Sequence, residues 1–130
     1  MTKKTHVAVG VAVTLQIITL NPIASIGVLG AIAPDWDMML GIKHRTTTHS
    51  LIALFISTII ITLLNTKIGL VWGLNYSIHL FLDSFTKMGV PFLYPFKNNY
   101  YGLKLIRTGQ SEDLFICLLA IFFIGSTYLY

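Results

Sequence analysis

Apolar residues come in long uninterrupted runs, and polar residues are confined to the short gaps between them. The first run covers residues 7–33 and is broken near its middle by Asn21-Pro22. Proline removes a backbone donor and clashes with the preceding turn, so this run predicts two short helices, Val7–Leu20 and Ile23–Ala33, folded as a hairpin. Leu51–Leu64 carries no charge and predicts a third helix. Ile68–Leu82 predicts a fourth, with one histidine in it, and Leu114–Tyr130 a fifth. The last three fall somewhat short of the ~20 residues of a full span, so flanking polar residues complete them. Thr86–Gln110 is too polar to cross and carries Pro91, Pro95 and aromatics alternating with lysines, the composition of a segment lying among headgroups. The expected fold is all-α. It is a polytopic membrane helical bundle with a broken N-terminal hairpin, three transmembrane helices and an interfacial segment, forming one domain over residues 1–130.

Composition strengthens this reading. The chain is 55% hydrophobic and 11% charged, with a mean hydropathy of +0.75. A soluble domain of 130 residues could not hide so much apolar surface, and a bilayer can. A signal peptide competes for the first run, because Lys3-Lys4 precedes it. It is disfavoured because cleavage would remove His6, and no small-residue cleavage site follows before Ala24-Ser25.

Charge placement tests the hairpin. If residues 7–33 cross twice or re-enter, Lys3, Lys4, Lys43, Arg45, Lys87, Lys97, Lys104 and Arg107 share the cytoplasmic face, and Lys67 alone lies outside. A single crossing would scatter them. The tendency of Lys and Arg to stay cytoplasmic therefore selects the hairpin. The net charge of +4 reads as a topology signal, and no nucleic-acid partner is expected because there is no dense basic patch. Cys117 is the sole cysteine, which excludes an intramolecular disulfide.

The polar gaps hold the chemistry. All four histidines lie in short motifs: Thr5-His6, His44-Arg45-Thr46-Thr47-Thr48-His49-Ser50, and His79-Leu80-Phe81-Leu82-Asp83. A further motif, Pro34-Asp35-Trp36-Asp37, adds two carboxylates. The hairpin topology carries every motif to one face of the membrane. His79 and Asp83, four apart on a helix, project one turn from each other and can chelate one divalent ion. The competing account is a hydrogen-bonded pair that packs helices together. Ionisable groups in a span are costly and usually functional, which favours the site. Asp35 and Asp37, read as extended backbone, would point the same way and could face one ion. The alternative is a solvated loop with Trp36 as interfacial anchor.

Thr46, Thr47 or Thr48 is expected to cap the helix beginning near His49, placing His49 in its first turn, where the dipole favours the neutral ring that metals need. Arg45 can hold an anionic oxygen or serve as a positive-inside marker. His44 stays open between ligand, proton shuttle and interfacial residue. Ser111 and Asp113 suit a helix N-terminus, whereas Glu112 is a candidate ligand or general base.

The ordered set Thr-His, Pro-Asp-x-Asp, His-Arg-x-x-Thr-His-Ser and His-x-x-x-Asp resembles the membrane-bound metal-dependent hydrolases of the YdjM type. The resemblance runs from Thr5 to about Pro95, with a weaker echo at Arg107-Thr108-Gly109 and Glu112. It implies a small polytopic inner-membrane protein with a divalent-metal site. A more distant likeness is to zinc-dependent phospholipase C and the P1-type nucleases, all-helical phosphoesterases that gather ligands around a His-x-x-x-Asp helix. That likeness implies His79 and Asp83 as ligands, with His6, Asp35 or Asp37, and His49 completing the site. This chain is much shorter and lacks a second such ligand helix, so one or two ions are expected in place of a three-zinc cluster.

The leading expectation is metal-assisted hydrolysis of a phosphoester or ester in a membrane lipid or lipid-linked substrate at the cytoplasmic face. Its ligands would be His6, Asp35, Asp37, His49, His79 and Asp83. Asp37, His44 or Glu112 would act as base, with Arg45 clamping the oxyanion. Mixed imidazole and carboxylate donors favour Zn2+, with Mn2+ and Fe2+ as alternatives. The competing expectation is a metal-binding membrane protein without catalysis, a transport or sensor component. A third is a structural module whose polar motifs only lock helices together.

Overall fold

The computed structural model describes residues 1–39, 41 and 45–129; the regular elements among them are all helices, with no strand. Helix α1, Lys3–Leu20, is opened by Thr2, whose hydroxyl accepts from the Thr5 amide. It ends at Asn21-Pro22 as the proline requires. The chain then turns back as a 3-10 helix, Pro22–Ala31, followed by a second, Ala33–Met38. The break is where the sequence predicts it, but the returning limb is a 3-10 helix and not the expected α-helix.

Spacing explains the difference. Small residues recur every third position at Ala24, Gly27, Gly30 and Ala33, all buried. A helix of three residues per turn keeps such a stripe on one face, whereas an α-helix would rotate it away. The stripe lies directly on the backbone of another helix: a Cβ at Gly27 would stand 2.5 Å from the Ile68 carbonyl oxygen, and one at Gly30 2.4 Å from that of Trp72.

That other helix is α3, Thr66–Ser84, the centre of the molecule. Asn65 ends α2, Leu51–Leu64, and also opens α3, its side-chain oxygen accepting from the Lys67 and Ile68 amides. Gly69 and Gly73 bring α3 against Thr62 and Thr58 of α2. The core between them gathers Leu54, Trp72, Tyr76, Leu80 and Val90. The Lys67 ammonium hydrogen-bonds the Asn21 side chain, so the tip of the hairpin and the α2–α3 turn share one end of the molecule. The polar motifs gather at the other.

After α3 the chain passes through residues 85–110, tied down by paired amide and carbonyl groups of Val90 and Tyr101 at 2.8 and 2.9 Å. Phe96, Leu103 and Leu105 are exposed here, as an interfacial segment would leave them. Helix α4, Ser111–Leu129, then packs on α1. Leu114, Phe115, Leu118, Phe122 and Phe123 on α4 are exposed, an apolar surface of the kind that faces lipid. Among the described residues, α4 is the one helix long and apolar enough to cross a membrane; α2 has 14 residues.

Candidate metal centre

Four side-chain atoms from three separate segments gather at the polar end. His79 Nε2 on α3 lies 3.4 Å from His49 Nε2, which belongs to a short 3-10 turn, Thr47–His49, ahead of α2. Asp35 Oδ1 stands 3.7 Å from each of these nitrogens. Asp83 Oδ2 stands 3.7 Å from His49 Nε2 and 3.6 Å from His79 Nε2. All four residues are buried, the two histidines completely.

Each imidazole is aimed by what holds its other nitrogen. His79 Nδ1 lies 2.7 Å from the Ala31 carbonyl at the end of the returning 3-10 helix, so this nitrogen donates and Nε2 keeps its lone pair. His49 Nδ1 faces Asp37 Oδ2 at 3.5 Å and the Thr48 hydroxyl at 3.2 Å. Asp37 is in turn fixed by the Arg45 amide at 3.0 Å and the Thr48 hydroxyl at 2.9 Å. Asp35 and Asp37 thus do different jobs. The expectation that both point one way from extended backbone is corrected: they lie on the 3-10 helix Ala33–Met38, where residues two apart diverge by about 120°. Asp35 reaches the cage and Asp37 stands behind His49.

Arg45 is buried with a backbone φ of +58°, a left-handed conformation uncommon outside glycine. Its guanidinium donates to Asp83 Oδ2 at 2.9 Å, to the Thr86 hydroxyl at 2.8 Å and to the Gly89 carbonyl at 3.0 Å. Tyr100 donates to the Arg45 carbonyl at 3.0 Å and Tyr76 to that of Thr48 at 2.5 Å. Thr86, Tyr76, Tyr100 and the Ala31 carbonyl carry no motif of their own, and sequence reasoning missed them.

His6 completes the group. Its ring stacks on His79 with centroids 3.7 Å apart, and its Nε2 lies 3.2 Å from Asp83 Oδ1. Neither nitrogen makes a well-directed hydrogen bond, although the side chain is fully buried. The Met1 amine also lies against Asp83 Oδ1.

Glu112 stands apart from the cluster. Glu112 is exposed, its carboxylate touched by the Ser111 hydroxyl at 3.4 Å. Its neighbour Asp113 is the buried one and accepts from the Thr5 hydroxyl at 2.5 Å, the Thr2 amide at 2.9 Å and the Gly109 amide at 2.8 Å. Consecutive helical residues step ~100° around the axis, so only one of the two can face α1. Asp113 therefore clamps α4 to α1, and Glu112 lies outside the cluster. His44 falls outside the described residues. The cap of α2 is Ser50, which accepts from the Ala53 amide at 3.2 Å; none of the preceding threonines takes that place, and His49 sits just before the helix.

The donor set suits a divalent cation. The carboxylates of Asp35, Asp37 and Asp83 oppose the guanidinium of Arg45 and the Met1 ammonium, which leaves the cluster net negative and open to a cation. His6, His79 and Asp83, and likewise Asp35, His49 and His79, each offer three ligand atoms within 4.8 Å of one another.

The matching family model, described as YdjM inner membrane protein, covers residues 1–129. The chain belongs to the YdjM family of inner membrane proteins. No curated protein and no solved structure matches it. The distant likeness to phospholipase C and the P1-type nucleases suggested by the His79–Asp83 helix of this YdjM-family chain is not shown by these comparisons.

Proposed function

We propose that the chain is a membrane-embedded, metal-dependent hydrolase that cleaves a phosphoester or ester of a lipid or lipid-linked substrate at the cytoplasmic face. The observation that carries this reading is the cage of His49, His79, Asp35 and Asp83. A tetrahedral zinc with nitrogen and oxygen ligands at about 2.0–2.2 Å has ligand-to-ligand edges of about 3.3–3.6 Å. The five separations among these atoms that involve a histidine nitrogen, 3.4–3.7 Å, are close to that size. Zn2+ is therefore the proposed ion, with Mn2+ and Fe2+ as alternatives drawing on the same donors. When bound, the ion supplies Lewis acidity, polarising the scissile group and acidifying water.

The chain's own residues do the rest. Ala31 and Asp37 hold the two imidazoles in the tautomer that turns Nε2 inward. Arg45 holds Asp83 and offers a fork suited to an anionic oxygen. His6, stacked on His79 without a well-directed hydrogen bond of its own, is the residue best placed to serve as a further ligand or to carry a proton. In this reading α1 to α4 are all embedded. The Asn21 and Lys67 turns lie on the outer side, and the site faces the lysine-rich inner side.

One observation favours the competing reading of a non-catalytic metal protein. Were His49, His79, Asp35 and Asp83 all to hold one ion, protein donors would take the four positions of a structural site, whereas catalytic sites keep a position open.

The test is metal analysis of detergent-purified protein beside His79→Ala and Asp83→Ala, together with turnover of phospholipids, polyprenyl phosphates and simple phosphodiesters. Stoichiometric metal lost in both variants, with turnover of one substrate class, supports hydrolysis. Metal without turnover supports the competing reading, and wild type without metal overturns both. A cysteine at Met39 reached only from the periplasm would overturn the orientation.

A further inference from the structure

Helices α1 and α4 leave two grooves that open on different faces of their contact. One, of about 530 Å³, is walled by Ala12, Val13, Leu119 and Phe123, with Gln16 and Thr127 as its polar residues. The other, of about 630 Å³, is walled by Val7, Val11, Ile32, Cys117, Ile121 and Ile124, and ends at Lys3 and Lys4. The two lysines are exposed and make no ion pair among the described residues. Asp113, the acid closest along α4, spends its carboxylate on Thr2, Thr5 and Gly109.

Two unneutralised ammonium groups at the mouth of a wholly apolar groove match one kind of occupant, an amphiphile with an anionic head and a hydrocarbon tail. A packed helix, from this chain or another, would fill the groove but leave the lysines unmatched. The depth fits as well. Lys4 to Val11 spans seven residues, or ~10 Å at ~1.5 Å per residue, within the ~15 Å of hydrocarbon in one leaflet of a ~30 Å core. The groove runs along α4, the helix with the length and composition of a span. The second groove has the apolar walls without the charge, and so supplies an internal control.

We propose that the groove ending at Lys3 and Lys4 binds an anionic phospholipid, its acyl chain between α1 and α4 and its phosphate on the two lysines. The inference does not rest on the catalytic reading, since binding is measured without turnover. It places that phosphate within about one helical turn of His6, whose ring faces the opposite way, onto His79.

The experiment uses the full chain in detergent, with retention of phosphatidylglycerol and phosphatidylcholine of equal chain length read by native mass spectrometry. Preferential retention of phosphatidylglycerol is expected, with the preference falling roughly tenfold or more in K3Q/K4Q. Ala8→Phe, which fills this groove, should abolish retention, whereas Ala12→Phe in the other should not. Alkylation of Cys117, the sole cysteine, should be slower with phosphatidylglycerol than with phosphatidylcholine. A cooperative thermal unfolding transition reports that each variant is folded, and the exposed lysine pair remains decisive if Ala8→Phe is not. Equal retention of the two lipids, meaning a merely annular lipid, overturns the proposal. So does a K3Q/K4Q variant with unchanged preference, or a second copy of the chain in place of lipid.

Discussion

His49 and His79 meet through their Nε2 atoms at 3.4 Å, 30 residues apart in sequence, each ring held from behind on Nδ1. With both Nδ1 atoms donating to the oxygens behind them, the two Nε2 lone pairs face one another, an arrangement that is costly in a buried site. A cation between them supplies the reason, and two carboxylates already flank the gap.

Removing the metal should therefore loosen the fold. Treatment with a strong chelator is expected to lower the unfolding temperature of the detergent-solubilised protein, and added zinc to restore it. At a free zinc concentration 100 times the dissociation constant, binding to the folded form alone stabilises it by about 2.7 kcal/mol. A thermal scan with and without metal checks this; an unfolding temperature indifferent to zinc would count against the cage.

Asp37 acts through His49, so its removal should weaken the site without emptying it. Asp37→Asn is expected to reduce metal affinity by roughly 10- to 100-fold while leaving stoichiometry intact at saturating metal. Asp35→Asn, which alters a cage atom, should cost more. Competition against a chelator of known affinity separates the two, and equal losses would argue that both aspartates ligate.

The seat of the returning 3-10 helix is equally specific. A methyl at Gly30 would stand 2.4 Å from the Trp72 carbonyl oxygen, so Gly30→Ala must push the helix off α3. A cost of about 1–3 kcal/mol is expected. Because Ala31 follows directly and holds His79, metal affinity should fall with it. Gly125→Ala, where a Cβ meets open space, is expected to be neutral or slightly stabilising. Denaturant titration of the two variants, each with a metal-affinity measurement, provides the comparison.

Glu112 and Asp113 should behave in opposite ways. Glu112→Gln is expected to change neither metal content nor stability, since its carboxylate is exposed. Asp113→Asn places an NH2 group where three donors converge and should cost about 1–3 kcal/mol. Unfolding curves and metal content of both variants check the pair; lost metal in Glu112→Gln would return it to the site.

Much of this was open to reading in one dimension. The apolar runs located α2 and α4, Asn21-Pro22 located the turn of the hairpin, and the charge bias put the two ends of that hairpin together. These are local or additive properties: a proline breaks a helix wherever it stands, and hydropathy sums along the chain. The set of His and Asp residues was legible for the same reason, because ionisable groups are rare and costly in an apolar chain.

The division of labour among those residues was not legible. That Asp35 enters the cage while Asp37 orients His49 depends on a 3-10 turn, whose three-residue repeat of small residues shows in the sequence but gains meaning only against the backbone of α3. That Asp113 is buried and Glu112 exposed depends on which face α4 presents to α1. The pairing of Arg45 with Asp83, Thr86 and Gly89 joins segments some 40 residues apart. The sequence by itself determined which chemistry the chain can assemble and at which end of the bundle. Only the tertiary structure decided which atom faces which, because that is set by long-range packing of helices whose partners no local pattern names.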